Sequence, residues 1–190
     1  VFPGGGVARK GLRVAVEAML RVPDTDLVVM GEVPRMLQAW AKSTCPRVRF
    51  LGRVHDPERV IGSAHALVLP TMYDPSSNAV LEAMACGVPV VTTLHDGAAE
   101  LLPHRWMAIS DPLDADRCAE VLVAVMNEAT LGETCRTIAS QYTMDKGFTQ
   151  LLNVIASPGS SGAHAAVAKL AMQRWSAGKA LVLLASEPSF

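Results

Sequence analysis

The feature that most constrains this chain is a regular alternation of short, almost wholly apolar runs with longer stretches of helical periodicity. "DLVVMG" (Asp26 to Gly31), "VRFLG" (Val48 to Gly52), "ALVLP" (Ala66 to Pro70) and "VPVVTT" (Val88 to Thr93) read as strands, and "MAIS" (Met107 to Ser110) as a further one. Each is rich in β-branched residues or leucine and is bounded by glycine, proline or polar residues. Continuous apolar character, rather than alternation, marks a parallel strand covered on both faces. Between the strands the spacing predicts helices over Lys10 to Leu20, Pro34 to Ser43, Pro57 to Ser63 and Asn78 to Cys86. Helices over Asp114 to Glu128, Leu131 to Tyr142 and Asp145 to Ile155 follow. Repeated β–α order with right-handed crossovers predicts an α/β fold with a doubly wound, parallel, Rossmann-like sheet.

The chain opens on Val1, and "VF" reads as the end of a strand cut in half, so a fragment with its N-terminal part missing is expected. Residues 1–156 form the expected domain, "SPGSSG" (157–162) is a linker by composition, and 163–190 is a tail to which composition assigns no single structure. With 190 residues, half of them apolar, the chain has enough material for one substantial core. A formal charge of −1 argues against a nucleic-acid partner, which needs a basic surface. The four cysteines show no CxxC pairing, which fits reduced thiols in the cytoplasm. Arg35, Lys42, Arg47, Arg49, Arg53 and Arg59 outnumber the acids between them. They read as a solvated face, with peripheral contact at the inner face of a membrane as the alternative.

Ligands of an open α/β sheet bind beyond the carboxyl ends of its strands, and three segments converge there. In "PGGGVARKG", Gly5 and Gly6 let backbone approach a ligand, and Arg9 with Lys10 at a helix start supply charge for phosphate. In "YDPSSNAVLEAMACGVPVV", residues Ser76 to Asn78 suit a helix start whose free N–H groups face the crevice. Asp74 precedes that helix and Glu82 lies one turn inside it, and each carboxylate can accept two hydrogen bonds from a vicinal diol. An unpaired acid inside an apolar helix is costly, so something should meet Glu82: a ligand, or an arginine of the core. In "HDGAAE", His95 and Asp96 either touch ligand or face solvent.

"ARKGL", "VRFLGRV", "LPTMYDPSSNAVLEAMACGVPVVTT" and "DGAAEL" occur in the order found in family-4 retaining glycosyltransferases. From Val1 to Ile155 the chain resembles the C-terminal, nucleotide-sugar-binding half of their GT-B fold, most of all in the lipopolysaccharide-core glucosyltransferase branch. The resemblance implies a hexosyltransferase using a nucleotide-sugar donor, a UDP-sugar by analogy, with a glycan or glycolipid acceptor and an absent N-terminal domain. It implies that Arg9 and Lys10 bind the diphosphate, that Glu82 binds the ribose and that Asp74 contacts the transferred sugar. Amides from Ser76 through Asn78, Ala79 and Val80 would help to hold sugar and phosphates, and Gly52, Arg53 and Val54 would lie near the base. The first acid of the family's pair, with seven residues between, is usually Glu; here it is Asp74. No metal or other cofactor is implied, since cations and helix dipoles stabilise the leaving diphosphate. Asp24-Thr25-Asp26 and Asp114-Ala115-Asp116 match "DxD" only by position, before a strand and in a helix's first turn. Two alternatives remain: a non-catalytic nucleotide-sugar-binding module, and an NAD-dependent oxidoreductase with Glu32 after its strand, against which the absence of GxGxxG argues.

Overall fold

The computed structural model describes residues 1–4 and 6–155, in two compact units, Val1–Ser140 and one that opens at Gln141. In the first unit β1 (Phe2–Pro3), β2 (Leu27–Met30) and β3 (Val48–Gly52) pair in parallel, as do β4 (Leu67–Val68), β5 (Val90–Thr93) and β6 (Ala108–Ile109). The two ladders meet through Val1. Its nitrogen donates to the Ala66 carbonyl at 2.7 Å, and its carbonyl accepts from the Val68 N–H at 2.9 Å. The joined order is β3-β2-β1-β4-β5-β6, so the winding reverses between β1 and β4. This is the doubly wound order, and the reversal is its switch point.

The helices are α1 (Leu12–Ala18), α2 (Arg35–Thr44), α3 (Pro57–Gly62), α4 (Asn78–Ala85), α5 (Ala115–Asn127) and α6 (Leu131–Ala139). Helix α1 packs on α2 and α5, while α4 packs on α3 and α6. The right-handed rule for β–α–β crossovers puts these two groups on opposite faces of the sheet. Accordingly β4 and β5 are buried along their whole length. Strand β3, at the edge, alternates instead, with Arg49 and Leu51 exposed. Four of the expected strands recur with trimmed ends, because Asp26, Pro70 and Val88 lie beside the ladders rather than in them. The segment after β5 is a short 3-10 helix, Gly97–Leu101, rather than an open loop.

One expectation is corrected: helix α1 begins at Leu12, not Lys10, because Gly11 at its N-cap is left-handed (φ 75°). Helix α7 (Met144–Ile155) falls in the second unit. The proposed linker and tail lie outside the described residues.

Part of the basic run has structural work. Arg47 donates to the carbonyls of Met19, Val22 and Thr25, closing the C-terminal end of α1. Arg49 pairs with Asp26 at 2.8 Å. Three of the four carboxylates in the DxD matches are likewise engaged: Asp26 by Arg49, Asp114 as the cap of α5 through the Arg117 N–H, and Asp116 by Arg21. All four cysteines are free thiols, and burial pushes Cys118 up to about 12, which makes it an inert thiol. No helix among the described residues is long and apolar enough to cross a membrane.

Candidate site at the switch point of the sheet

The loops that follow β1 and β4 rise side by side at the switch point. Gly11 sets their separation: a Cβ there would sit 2.0 Å from the Pro70 carbonyl oxygen, so only glycine permits this approach. The turn from Gly6 to Leu12 closes on itself, with Lys10 N–H donating to Gly6 O, Gly11 N–H to Ala8 O and Leu12 N–H to Val7 O. Arg9 and Lys10 therefore stand in this turn, ahead of the helix whose first turn they were expected to occupy. Gly6 (φ 59°) is exposed, and Gly5 lies outside the described residues.

The β4 loop grips Arg9 from three sides. Its carbonyl accepts from Met72 N–H (2.8 Å) and from the Thr71 hydroxyl (3.1 Å). Its Nη1 donates to Asp74 Oδ2 at 2.8 Å and to the Tyr73 carbonyl at 2.5 Å. Lys10 is half-buried beside them. Burial pulls its ammonium below the ordinary lysine range; Asp74 opposes that shift, Arg9 reinforces it, and Glu82 and Asp96 oppose it more weakly. One ammonium thus senses the carboxylates of the β4 loop, the β5 loop and α4, and the guanidinium beside it in its own turn.

Asp74 is buried beside the β5 loop, its N–H donating to His95 O and its carbonyl accepting from Gly97 N–H. Gly97 is required there, since a Cβ would lie 1.9 Å from the Pro75 carbonyl oxygen. Asp96 fastens the same junction. It is 2 % exposed, and its Oδ1 accepts from Ser77 N–H (3.1 Å) and Ala98 N–H (3.0 Å) while Oδ2 accepts from the Thr92 hydroxyl (2.9 Å). The sequence left Asp96 between ligand and solvent; it faces neither. Its signal was Thr92 four residues earlier and Ala98 two later, a spacing that also fits an ordinary Asx turn. His95, exposed, keeps Nδ1 3.2 Å from Met72 O.

Helix α4 then starts with amides unclaimed. Among the described residues, the N–H groups of Ser76, Asn78 and Ala79 have no acceptor, whereas Val80 N–H is taken by Ser77 O. The side chains of Ala79 and Val80 are buried in the core, so these residues offer at most backbone. Glu82 corrects the sequence reading most plainly. It is exposed on the outer face of α4 and accepts no hydrogen bond among the described residues, so it needs no arginine to offset burial. Gly87 (φ 74°) ends the helix in the left-handed conformation, as expected. Arg53 and Val54 follow β3 at the same edge; Arg53 is exposed and lies 3.8 Å from Glu32, an equally exposed acid.

Sheet order and switch-point loops define the class: a Rossmann-like domain of the doubly wound kind. Within that class the chain belongs to the glycosyl transferases group 1 family, which matches residues 1–128. The lipopolysaccharide glucosyltransferase WaaG of Escherichia coli K12 is 28% identical over 138 residues, covering 67% of this chain and 37% of that one. A GDP-mannose-dependent mannosyltransferase acting on a monoacylated phosphatidylinositol monomannoside, from Corynebacterium glutamicum, is 26% identical over 171 residues, 80% of this chain and 45% of that one. The crystal structure of WaaG superposes with a TM-score of 0.64 at 25% identity, over 75% of this chain and 43% of that one. Anabaena HepE, solved with UDP and glucose, shares the fold, with a TM-score of 0.69 at 20% identity over 83% of this chain and 48% of that one. The chain spans less than half the length of these relatives. Membership of this family sets the oxidoreductase reading aside.

Proposed function

We propose that this chain is the donor-binding half of a glycosyltransferase that moves a hexose from a nucleotide sugar to a glycan or glycolipid acceptor with retention. The observation that carries this reading is the meeting of Arg9, Lys10 and the unclaimed amides of α4 at the switch point between β1 and β4. Guanidinium, ammonium and amides form a cradle for a diphosphate, and they act most strongly on the charge that grows as the bond from sugar to phosphate breaks. Glu82, free and exposed one turn above the amides, is the acceptor for ribose hydroxyls. Asp74 keeps Oδ1 without a hydrogen bond among the described residues, one acceptor for a hydroxyl of the transferred sugar. Arg53 and Val54, at the end of β3, border the base. The cations supply the electrostatic stabilisation that a metal provides elsewhere, so the reading needs no metal. A second domain would bring the acceptor and close the cleft against water.

HepE is solved with UDP and glucose and the Corynebacterium relative is GDP-mannose-dependent, so the relatives point to no single base and three nucleotides belong in the test. Calorimetric titration of the chain with UDP, GDP and ADP, and with the parent nucleosides, is the experiment. The combined substitution Arg9→Ala, Lys10→Ala should weaken the diphosphate that binds by 10-fold or more and leave its nucleoside within about 2-fold, since roughly 1.4 kcal/mol accompanies each decade. Equal losses for both, or no diphosphate binding by the folded chain, would overturn the reading.

A further inference from the structure

We propose that Asp74 is a positioning residue for Arg9: its carboxylate locks the guanidinium so that the Nε and Nη2 edge is presented to the donor's diphosphate. The inference rests on the donor-site reading above and assigns Asp74 a task separate from touching sugar. An arginine carries five N–H donors in a planar fork. Here both hydrogens of Nη1 are used, one on Asp74 Oδ2 at 2.8 Å and one on the Tyr73 carbonyl. Nε and both hydrogens of Nη2 have no acceptor among the described residues, and Nε–H and one Nη2 hydrogen lie parallel along one edge of the fork, the geometry that takes two phosphate oxygens at once.

The environment suits a lock. Asp74 is nearly buried, its side chain only 12 % exposed, and its backbone is fixed from both ends by His95 O and Gly97 N–H. Arg9 is the more exposed partner: its side chain is 47 % exposed and stands on a turn. Left alone, a long exposed side chain samples many rotamers, and binding must then freeze it. A fixed carboxylate that freezes it beforehand removes that cost from the binding step. The aspartate's short stem also matters. Its carboxylate stays at the backbone that carries the Tyr73 carbonyl, so the two acceptors address one nitrogen together.

Charge alone makes the opposite forecast. Deleting an anion beside a diphosphate site should tighten binding, because a repulsion is lost. A loss of affinity on deleting Asp74 comes through the geometry of Arg9 or through Lys10, whose ammonium Asp74 also supports, and the Arg9→Ala background separates the two. The experiment is a double-mutant cycle on the full chain, reading affinity for the nucleoside diphosphate that the wild type binds, with no sugar present. Its four members are wild type, Arg9→Ala, Asp74→Ala and the double variant, each checked by thermal melting, with the uncharged nucleoside as control. Asp74→Ala should weaken the diphosphate about 10-fold in the wild-type background and by less than about 2-fold when Arg9 is already alanine. The nucleoside should be unaffected throughout. Unchanged or tighter diphosphate binding by Asp74→Ala overturns the inference and leaves a sugar contact as its only role. Equal losses in both backgrounds, or parallel losses of nucleoside and diphosphate, also overturn it, since Asp74 would then act without Arg9. If the wild type binds no diphosphate, the donor-site reading itself fails. If Arg9→Ala weakens binding while Asp74→Ala does not, only the positioning role fails.

Discussion

Burying a carboxylate without partners costs several kcal/mol, whereas one on an exposed helical face costs almost nothing. Glu82 is of the second kind, exposed on α4 with no hydrogen-bond partner among the described residues that its removal would strand. Glu82→Gln in the complete protein should leave stability within about 0.5 kcal/mol, as surface substitutions do. Sugar transfer should fall 10-fold or more, about 1.4 kcal/mol in the barrier. A large drop in melting temperature, or unchanged kinetics, would show that Glu82 serves the fold or nothing at all. Lys10 offers a second test, through pH. Burial lowers its pKa in the free chain, and a bound diphosphate would favour the ammonium and raise it again. Affinity should therefore be flat below the free-chain pKa and fall as pH climbs through it, starting below the usual lysine value of about 10.4. Lys10→Met should bind more weakly and lose that slope; an identical slope in the variant would exclude Lys10 as its source.

At the scale of elements, the site depends on how the loop after β5 holds the start of α4. Ser77, the N-cap residue, makes no side-chain cap, and its own N–H is satisfied by Asp96 from the neighbouring loop. The helix is thus anchored across the sheet rather than by local capping chemistry. Asp96→Ala would strand Ser77 N–H and Ala98 N–H in a buried place, while the Thr92 hydroxyl would keep the Leu69 carbonyl as acceptor. Such a loss should cost about 2–4 kcal/mol by the usual penalty for breaking a buried charge-assisted network. Chemical denaturation measures this directly, and a cost under about 0.5 kcal/mol would mean that water replaces the carboxylate. Asp96→Asn keeps one acceptor oxygen and should cost less. The α1 start is governed differently: Gly11 φ and its contact with Pro70 O, rather than a capping side chain, decide where the helix begins.

Across the whole molecule, charge is distributed so that cations gather at one end of the switch point while the net charge stays near neutral. That arrangement supports transfer without a metal, and activity in excess EDTA is the test. Full activity after chelation is expected; loss restored by Mn²⁺ or Mg²⁺ would contradict the reading. The carboxylates that match DxD bear on this choice, because Asp26 and Asp116 are engaged by Arg49 and Arg21 and Asp114 caps α5.

By itself the sequence determined the order and type of the elements. Apolar runs of strand length between helical periods can be buried only in a parallel sheet covered on both faces, and β2, β4 and β5 obey that constraint. The segments flanking those strands also announced where ligand groups would gather, since the loops after β1 and β4 carry Arg9, Lys10 and Asp74. Tertiary structure alone decided which acid is buried and which is bare. Glu82 sits among apolar neighbours in the sequence and is exposed, whereas Asp96 sits between His95 and Gly97 and is buried, because burial depends on what packs against a side chain from elsewhere. It decided the ion pair as well: Arg9 and Asp74 are 65 positions apart, and no local period relates them. Only the joining of the two ladders at Val1 brings their loops together. Local periodicity encodes which face of an element is apolar; the partner that each polar group meets there is a property of the closed sheet.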